Sequence, residues 1–323
     1  MADILHVVLA NPRGFCAGVE RAVLFVERAL GLLGTPLYVR HEIVHNRHVV
    51  QALAAQGAIF VDELDEVPDG ATVMFSAHGV SPVVVQEARR RGLQVLDATC
   101  PLVAKVHLEV TRHARSGLEL VLIGHAGHVE VLGVAGHYQA NGGRRWHLVQ
   151  SPQDVAGLQI EAAARLAYAV QTTFSVDEAA PIINALEQRF PGLQAPPRDD
   201  ICYATENRQN AVKALAAQSE LVLVVGSRSS ANACRLKEAA ERAGCPAHLV
   251  DSAHDLRPEW FERCNHLGIT SGASTPEGLV AAVLDQLRQW RICRVESDGG
   301  TPEQVVFHLP QKFRQAGASP ALR

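Results

Sequence analysis

The chain has 323 residues, 47% apolar and 20% charged, enough to bury a large core and to form more than one module. Its 30 basic and 34 acidic residues leave a net charge of −4, which argues against a general nucleic-acid binder, and no apolar run reaches the ~20 residues that cross a membrane. Seven cysteines, an odd number without compact spacing, and no secretory leader exclude a disulfide scaffold and point to the reducing cytoplasm.

In chain order, residues 4–10 read as a buried strand, followed by the turn Asn11-Pro12-Arg13-Gly14 and then Cys16. The spacing of Val19, Val23, Val26, Leu30 and Leu33 predicts a helix after Cys16 that ends at Gly34. A second helix is expected after Cys100, where Pro101 suits a first turn and Val103, Val106, Val110 and Ala114 share a face. A third follows Cys202, with Val212 and Leu215. Each cysteine stands at a helix N-terminus, where aligned peptide dipoles favour a thiolate.

The three segments continue alike. A β-rich run follows each helix, at residues 37–39, 120–123 and 221–225. A polar residue then lies 29, 28 and 28 positions past the cysteine: His45, His128 and Ser230. Second strands end at Val61, Val149 and Val250, and third strands open onto Ser76-Ala77-His78-Gly79, Gln171-Thr172-Thr173 and Ser271-Gly272-Ala273-Ser274. Alternating strand and helix at this spacing predicts an α/β fold. It consists of three similar modules with mainly parallel sheets, arranged with pseudo-threefold symmetry around a common centre. The expected boundaries are 1–100 (with the N-terminal strand and Cys16), 101–198 (Cys100 at its entry), 199–286 (Cys202), and 287–323 as a C-terminal strand and tail. Ligands of such sheets bind beyond the carboxyl ends of the strands, where all three cysteines and the polar loops fall.

Three equivalent cysteines suit an iron–sulfur cluster, and with only three a cubane keeps one iron open to substrate. Cys234, Cys245, Cys264 and Cys293 recur at no equivalent position and read as packing residues. The stretch His41-Glu42-Ile43-Val44-His45 matches the zinc-hydrolase pattern His-Glu-x-x-His, which works only on a helix; here it follows a strand, and the next helix begins after Asn46, an N-cap residue. His78, His125 and His128 lie in glycine-flanked loops, with Glu130 two residues beyond. The loops Ser229-Ser230-Ala231-Asn232 and Gly272-Ala273-Ser274 offer donors near helix starts that suit phosphate. No Walker A or dinucleotide fingerprint is present.

Residues 11–18, 41–46, 76–80, 97–103, 124–131, 171–173, 200–203 and 272–274 together resemble the LytB family of iron–sulfur reductases, and the resemblance spans residues 4–310. It implies that Cys16, Cys100 and Cys202 hold a 4Fe–4S cluster with an open fourth iron. It implies a diphosphate substrate held by His45, His78, His128, Thr172, Ser230, Ala231, Asn232 and Ser274, with Glu130 and Thr172 as the catalytic proton donor and relay. The implied reaction is a two-electron, two-proton dehydroxylation of 4-hydroxy-3-methylbut-2-enyl diphosphate to isopentenyl and dimethylallyl diphosphate, the last step of the methylerythritol phosphate route. Electrons would come from ferredoxin or flavodoxin. Two departures stand out: the family's Ser-Ser-Asn-Ser is Ser230-Ala231-Asn232-Ala233 here, one hydroxyl short, and its proline before Glu130 is Val129. The alternative readings are a non-catalytic iron–sulfur redox sensor and, third, the zinc hydrolase.

Overall fold

The computed structural model describes residues 4–161, 165–300 and 303–314. Its first stretch runs β1 (Ile4–Leu9), α1 (Ala17–Leu33), β2 (Leu37–Arg40), α2 (Arg47–Ala55), β3 (Ala58–Val61), β4 (Thr72–Phe75), α3 (Pro82–Arg90) and β5 (Gln94–Asp97). The second runs α4 (Pro101–Arg115), β6 (Glu119–Ile123), α5 (Val129–Ala140), β7 (Trp146–Val149), α6 (Pro152–Gly157), β8 (Leu166–Val170) and α7 (Val176–Arg189). The third runs α8 (Tyr203–Ala216), β9 (Leu221–Val225), α9 (Ala231–Arg242), β10 (Ala247–Val250), β11 (His266–Ser271), α10 (Glu277–Trp290) and β12 (Ile292–Ser297).

Three parallel sheets result. Their strand orders are β3-β2-β4-β5, β7-β6-β8 and β10-β9-β11-β1-β12, so one arrangement, second strand, first strand, third strand, occurs three times. Strands β6, β8 and β9 are buried along their length, which is why they read as unbroken apolar runs: helices cover both faces of a parallel sheet. The predicted helix faces match where packing is tight. Val103, Val106, Val110 and Ala114 of α4 are all buried, as are Val212 and Leu215 of α8. On α1 the buried stripe runs Ala22, Val23, Val26, Ala29 and Leu30, whereas Leu33, expected on it, is 42% exposed because the helix runs past the sheet before Gly34 (φ 79°) ends it.

The expected place of the N-terminal strand in the first unit needs correction. The N-terminal strand does not join the first sheet: β1 pairs with β11 on one side and β12 on the other, in the third. The physical reason is that the chain ahead of each cysteine runs alongside the third strand of the preceding sheet. β5, leading to Cys100, lies beside β4; β1, leading to Cys16, lies beside β11; Gln194, ahead of Cys202, bridges to β8. Read as a ring, the chain begins inside its third unit. α1 nevertheless packs on the first sheet, with Phe25, Val26, Val39 and Met74 in one core, so the first and third units share the chain's opening residues.

The segment beyond β12 is also structural. Leu309 and Phe313 are buried in the α1 core, and the Asn11 amide donates to Gly300 O at 2.6 Å. Residues 315–323 of the expected tail lie outside the described residues. No helix among the described residues is long and apolar enough to cross a membrane.

Candidate active site

Cys16, Cys100 and Cys202 are the N-cap residues of α1, α4 and α8, and none of the three sulfurs caps its helix. Their backbones are fixed by one repeated bond. Cys100 N donates to Ala77 O (2.9 Å), Cys202 N to Thr172 O (3.0 Å) and Cys16 N to Ala273 O (3.1 Å). Each cysteine is thereby tied to the loop after the third strand of the neighbouring unit, and the three ties close a ring.

One cleft collects the result. It is lined by all three cysteines and by His45, His78, His128, Glu130, Thr172, Ser230, Ala231, Asn232 and Ser274, every site residue expected from the sequence. His125, noted beside them, is not among the lining residues; its ring packs on Phe174 at 4.8 Å. The His41–His45 stretch is irregular, with His41 in the left-handed region (φ 59°), so its two histidines share no helical face and the zinc pattern fails. Helix α2 begins after Asn46, whose Oδ1 accepts from His48 N and Val49 N.

The three thiols have the chemistry of a metal–sulfur centre. Burial pushes the Cys100 thiol up to about 12 and Cys202 to about 11, the neighbouring cysteines adding to the shift. At Cys100 and Cys202 the helix-dipole preference for thiolate is thus outweighed by burial. Gly18 leaves the room: a Cβ there would come within 2.7 Å of Cys100 Sγ and 3.8 Å of Cys16 Sγ. Thr205, absent from the sequence reading, stands 3.1 Å from Cys202 Sγ through its Oγ1.

Opposite the sulfurs lies a polar wall. His45 stacks on His78 (centroids 4.1 Å), and His128 meets both edge-on at 5.6 and 6.2 Å. Burial, then the neighbouring histidines, hold His78 well below its usual range and His128 down to about 4, so these two imidazoles are neutral at pH 7 and serve as hydrogen-bond partners. His45 Nε2 and Asn232 Nδ2 are buried without partners, an unsatisfied state that an incoming anion relieves. Asn232 is oriented by its Oδ1, which accepts from Ala273 N (2.8 Å); Ser230 caps α9 through Ala233 N (3.3 Å); the Ser274 hydroxyl donates to His45 O (3.0 Å). The N-termini of α5 and α9 open into the cleft here, adding backbone donors and the positive end of the dipole.

Glu130 is 1% exposed. Its Oε1 accepts from Thr172 N (2.6 Å) and its Oε2 from Thr172 Oγ1 (2.9 Å). Burial raises its carboxyl to about 7 despite those bonds, with Asp200, itself raised to about 6 by burial, contributing.

Arg208 was not legible in the sequence as a site-building residue. Fully buried on α8, it donates to Gly14 O (2.9 Å from Nη2), Phe15 O, Ala204 O and both oxygens of Glu303 (3.0 Å each). It pins the loop carrying Cys16 to the helix that starts at Cys202. We expect Arg208→Met to destabilise the cluster-free protein by about 3–5 kcal/mol, the scale for stranding the partner of a buried ion pair. Urea unfolding measures this; a loss below about 1 kcal/mol contradicts the assignment.

Fold and site together define a three-unit parallel α/β protein built around a tri-cysteine cleft. The family model described as LytB protein matches residues 7–288. A 4-hydroxy-3-methylbut-2-enyl diphosphate reductase of Azotobacter vinelandii is 57% identical over 310 residues, 96% of this chain and 98% of that one. That of Ectopseudomonas mendocina is 54% identical, covering 96% and 99%. The solved structure of the E-1-hydroxy-2-methyl-but-2-enyl-4-diphosphate reductase from Plasmodium falciparum is similar with a TM-score of 0.90 at 37% identity, over 96% of this chain and 97% of that one. The chain belongs to the LytB family.

Proposed function

We propose that this chain reduces 4-hydroxy-3-methylbut-2-enyl diphosphate to isopentenyl and dimethylallyl diphosphate, the last step of the methylerythritol phosphate route. The observation that carries the reading is the convergence, in one cleft of a LytB-family chain, of three uncapped cysteines with the buried Glu130–Thr172 pair. Cys16, Cys100 and Cys202 would hold a 4Fe–4S cluster. When bound, that cluster supplies electrons and, at its open iron, a Lewis acid for a hydroxyl that is otherwise a poor leaving group.

The protein's own residues supply the rest. His45, His78 and His128, with Asn232 Nδ2, Ser230 and the backbone N–H groups at Ala231, bind the diphosphate and fix the hydroxyl end. Ser274 contributes by turning its hydroxyl from His45 O to the anion. Glu130 in its acid form gives a proton through the Thr172 hydroxyl to the departing oxygen, and a second proton with the two electrons completes the conversion of C–OH to C–H and water. The electrons come from a ferredoxin or flavodoxin in the cytoplasm.

Anaerobic incubation with the diphosphate and dithionite-reduced methyl viologen tests this directly: the two five-carbon diphosphates are expected, and unchanged substrate with an intact cluster contradicts it. A second test concerns the missing hydroxyl. Ala231 is the first residue of α9, and Ser230 and Asn232 flank it in the cleft. Ala231→Ser is expected to change substrate affinity by no more than about 1.5 kcal/mol, one ordinary hydrogen bond. A gain of several kcal/mol, read by substrate titration, shows the parent's pocket to be incomplete.

A further inference from the structure

A second groove lies outside the cleft. It runs along the first turns of α1 and beneath the segment around Val306, and the cleft shares none of its lining residues. Ala17, in its wall, directly follows Cys16. Arg21, also in its wall, donates through Nη1 to Ala98 O (3.1 Å) and Thr99 O (3.2 Å), the two residues before Cys100. The groove is therefore one residue away from two of the three cysteines.

Its charge and surface are unusual for this chain. Arg21, Arg28 and Arg314 line it, against the single carboxylate of Glu20, in a protein whose net charge is −4. Arg21 and Arg314 spend hydrogen bonds on carbonyls, His308 O and Leu309 O among them. Arg28 lines the groove with its Nε and Nη1 buried and without a hydrogen-bond partner. In the same groove Val306 is 70% exposed, more than any other large apolar side chain among the described residues, and Val305 beside it is 42% exposed. An apolar centre with a charged rim is the anatomy of a protein interface. The other cationic cleft, by Trp260, offers less: Arg47 and Lys237 there are paired with Asp251 and Glu241.

We propose that this groove is the docking surface for an acidic electron-carrier protein, an inference that rests on the reductase reading. A reduced carrier of the ferredoxin or flavodoxin kind approaches through the field of the three arginines, seats an apolar contact on Val306, gives up one electron and leaves oxidised. Two such encounters supply the two electrons of a turnover, while the protons come from the substrate side. Electron-transfer encounters are small and steered by charge, so the association should weaken with salt.

The test uses the full chain, with and without its cluster, and two probes, a reduced [2Fe–2S] ferredoxin and a flavodoxin. At low ionic strength at least one probe is expected to bind the parent, and raising the salt to weaken it. Arg28→Glu and Val306→Asp are each expected to cut probe affinity and probe-driven turnover about tenfold, with the salt dependence flattened in Arg28→Glu. Arg28→Lys restores both, and turnover driven by reduced methyl viologen stays within twofold in every variant. Probe binding and probe-driven rates that ignore both substitutions overturn the docking surface, as does a parent that viologen drives but neither carrier binds. Gain of probe binding on removing residues 315–323, with Arg28→Glu silent, assigns the groove to the chain's own tail and overturns it too. Failure of viologen to drive the parent overturns the reductase reading instead.

Discussion

Glu130→Gln should slow reductive turnover by ~10²–10⁴-fold, the usual loss when a general acid is removed, while substrate still binds with nearly parental affinity. The local geometry makes the comparison clean. The amide oxygen can continue to accept from Thr172 N, and the amide nitrogen can donate to Thr172 Oγ1, so the buried pair stays satisfied but has no proton to release. The pH dependence carries a second signature. Because burial raises the Glu130 carboxyl to about 7, the acid form that donates is present below that pH and disappears above it. Parental turnover therefore falls as pH rises through about 7, and the bound anion pushes that limb upward; the Gln variant lacks the limb. The same shift bears on stability. A carboxyl raised in the folded state costs nothing below its unfolded value of about 4.5, and ionising it destabilises the fold as pH rises through about 7. At pH 8 the cluster-free Gln variant is expected to be more stable than the parent by up to about 3 kcal/mol, and at pH 4 the two should match. Turnover within a few-fold of the parent makes Glu130 a spectator.

The cysteine substitutions should have effects at least as large. Cys16→Ser, Cys100→Ser and Cys202→Ser are each expected to strip or degrade the cluster, because the three positions are equivalent N-caps tied into one ring and the remaining two sulfurs leave a side of the site without a ligand. The other four cysteines have different occupations. Cys245 and Cys264 are buried in the third unit with thiols directed at Ser219 O and His266 O, and Cys234 and Cys293 are part-buried and directed at Arg228 O and Arg291 O. None lines the cleft. Their serine variants should keep parental iron and sulfide. Loss of iron and sulfide from any of those four, with circular dichroism unchanged, contradicts the three-cysteine assignment.

Much of this arrangement was readable because repetition turns weak local signals into strong ones. A lone cysteine before a helix is unremarkable; three at matching distances from three strand-end loops define a centre before any geometry is known. Periodicity placed α4 and α8, whose faces press against sheets, and misplaced Leu33, where the helix outruns its sheet. The N-terminal strand falls in another unit than sequence order suggests, because order along the chain says nothing about which sheet a strand enters, and β1 inserts between β11 and β12. Arg208 and Thr205 were invisible for another reason. Nothing in the local pattern of α8 marks an arginine that reaches Gly14, Phe15 and Glu303, residues distant in sequence. The resistance of Cys100 and Cys202 to ionisation is likewise hidden: the helix dipole can be inferred from Cys100-Pro101, but the burial that outweighs it belongs to the assembled ring.

The central claim, a three-cysteine cluster whose open iron faces the substrate cleft, is tested most directly by Mössbauer spectroscopy of the ⁵⁷Fe-loaded protein with and without 4-hydroxy-3-methylbut-2-enyl diphosphate. The account predicts about four irons per chain, of which a single site changes its signal when the diphosphate is added. Four irons that all remain unchanged at saturating substrate, or a chain that takes up zinc in place of iron and sulfide, would contradict it.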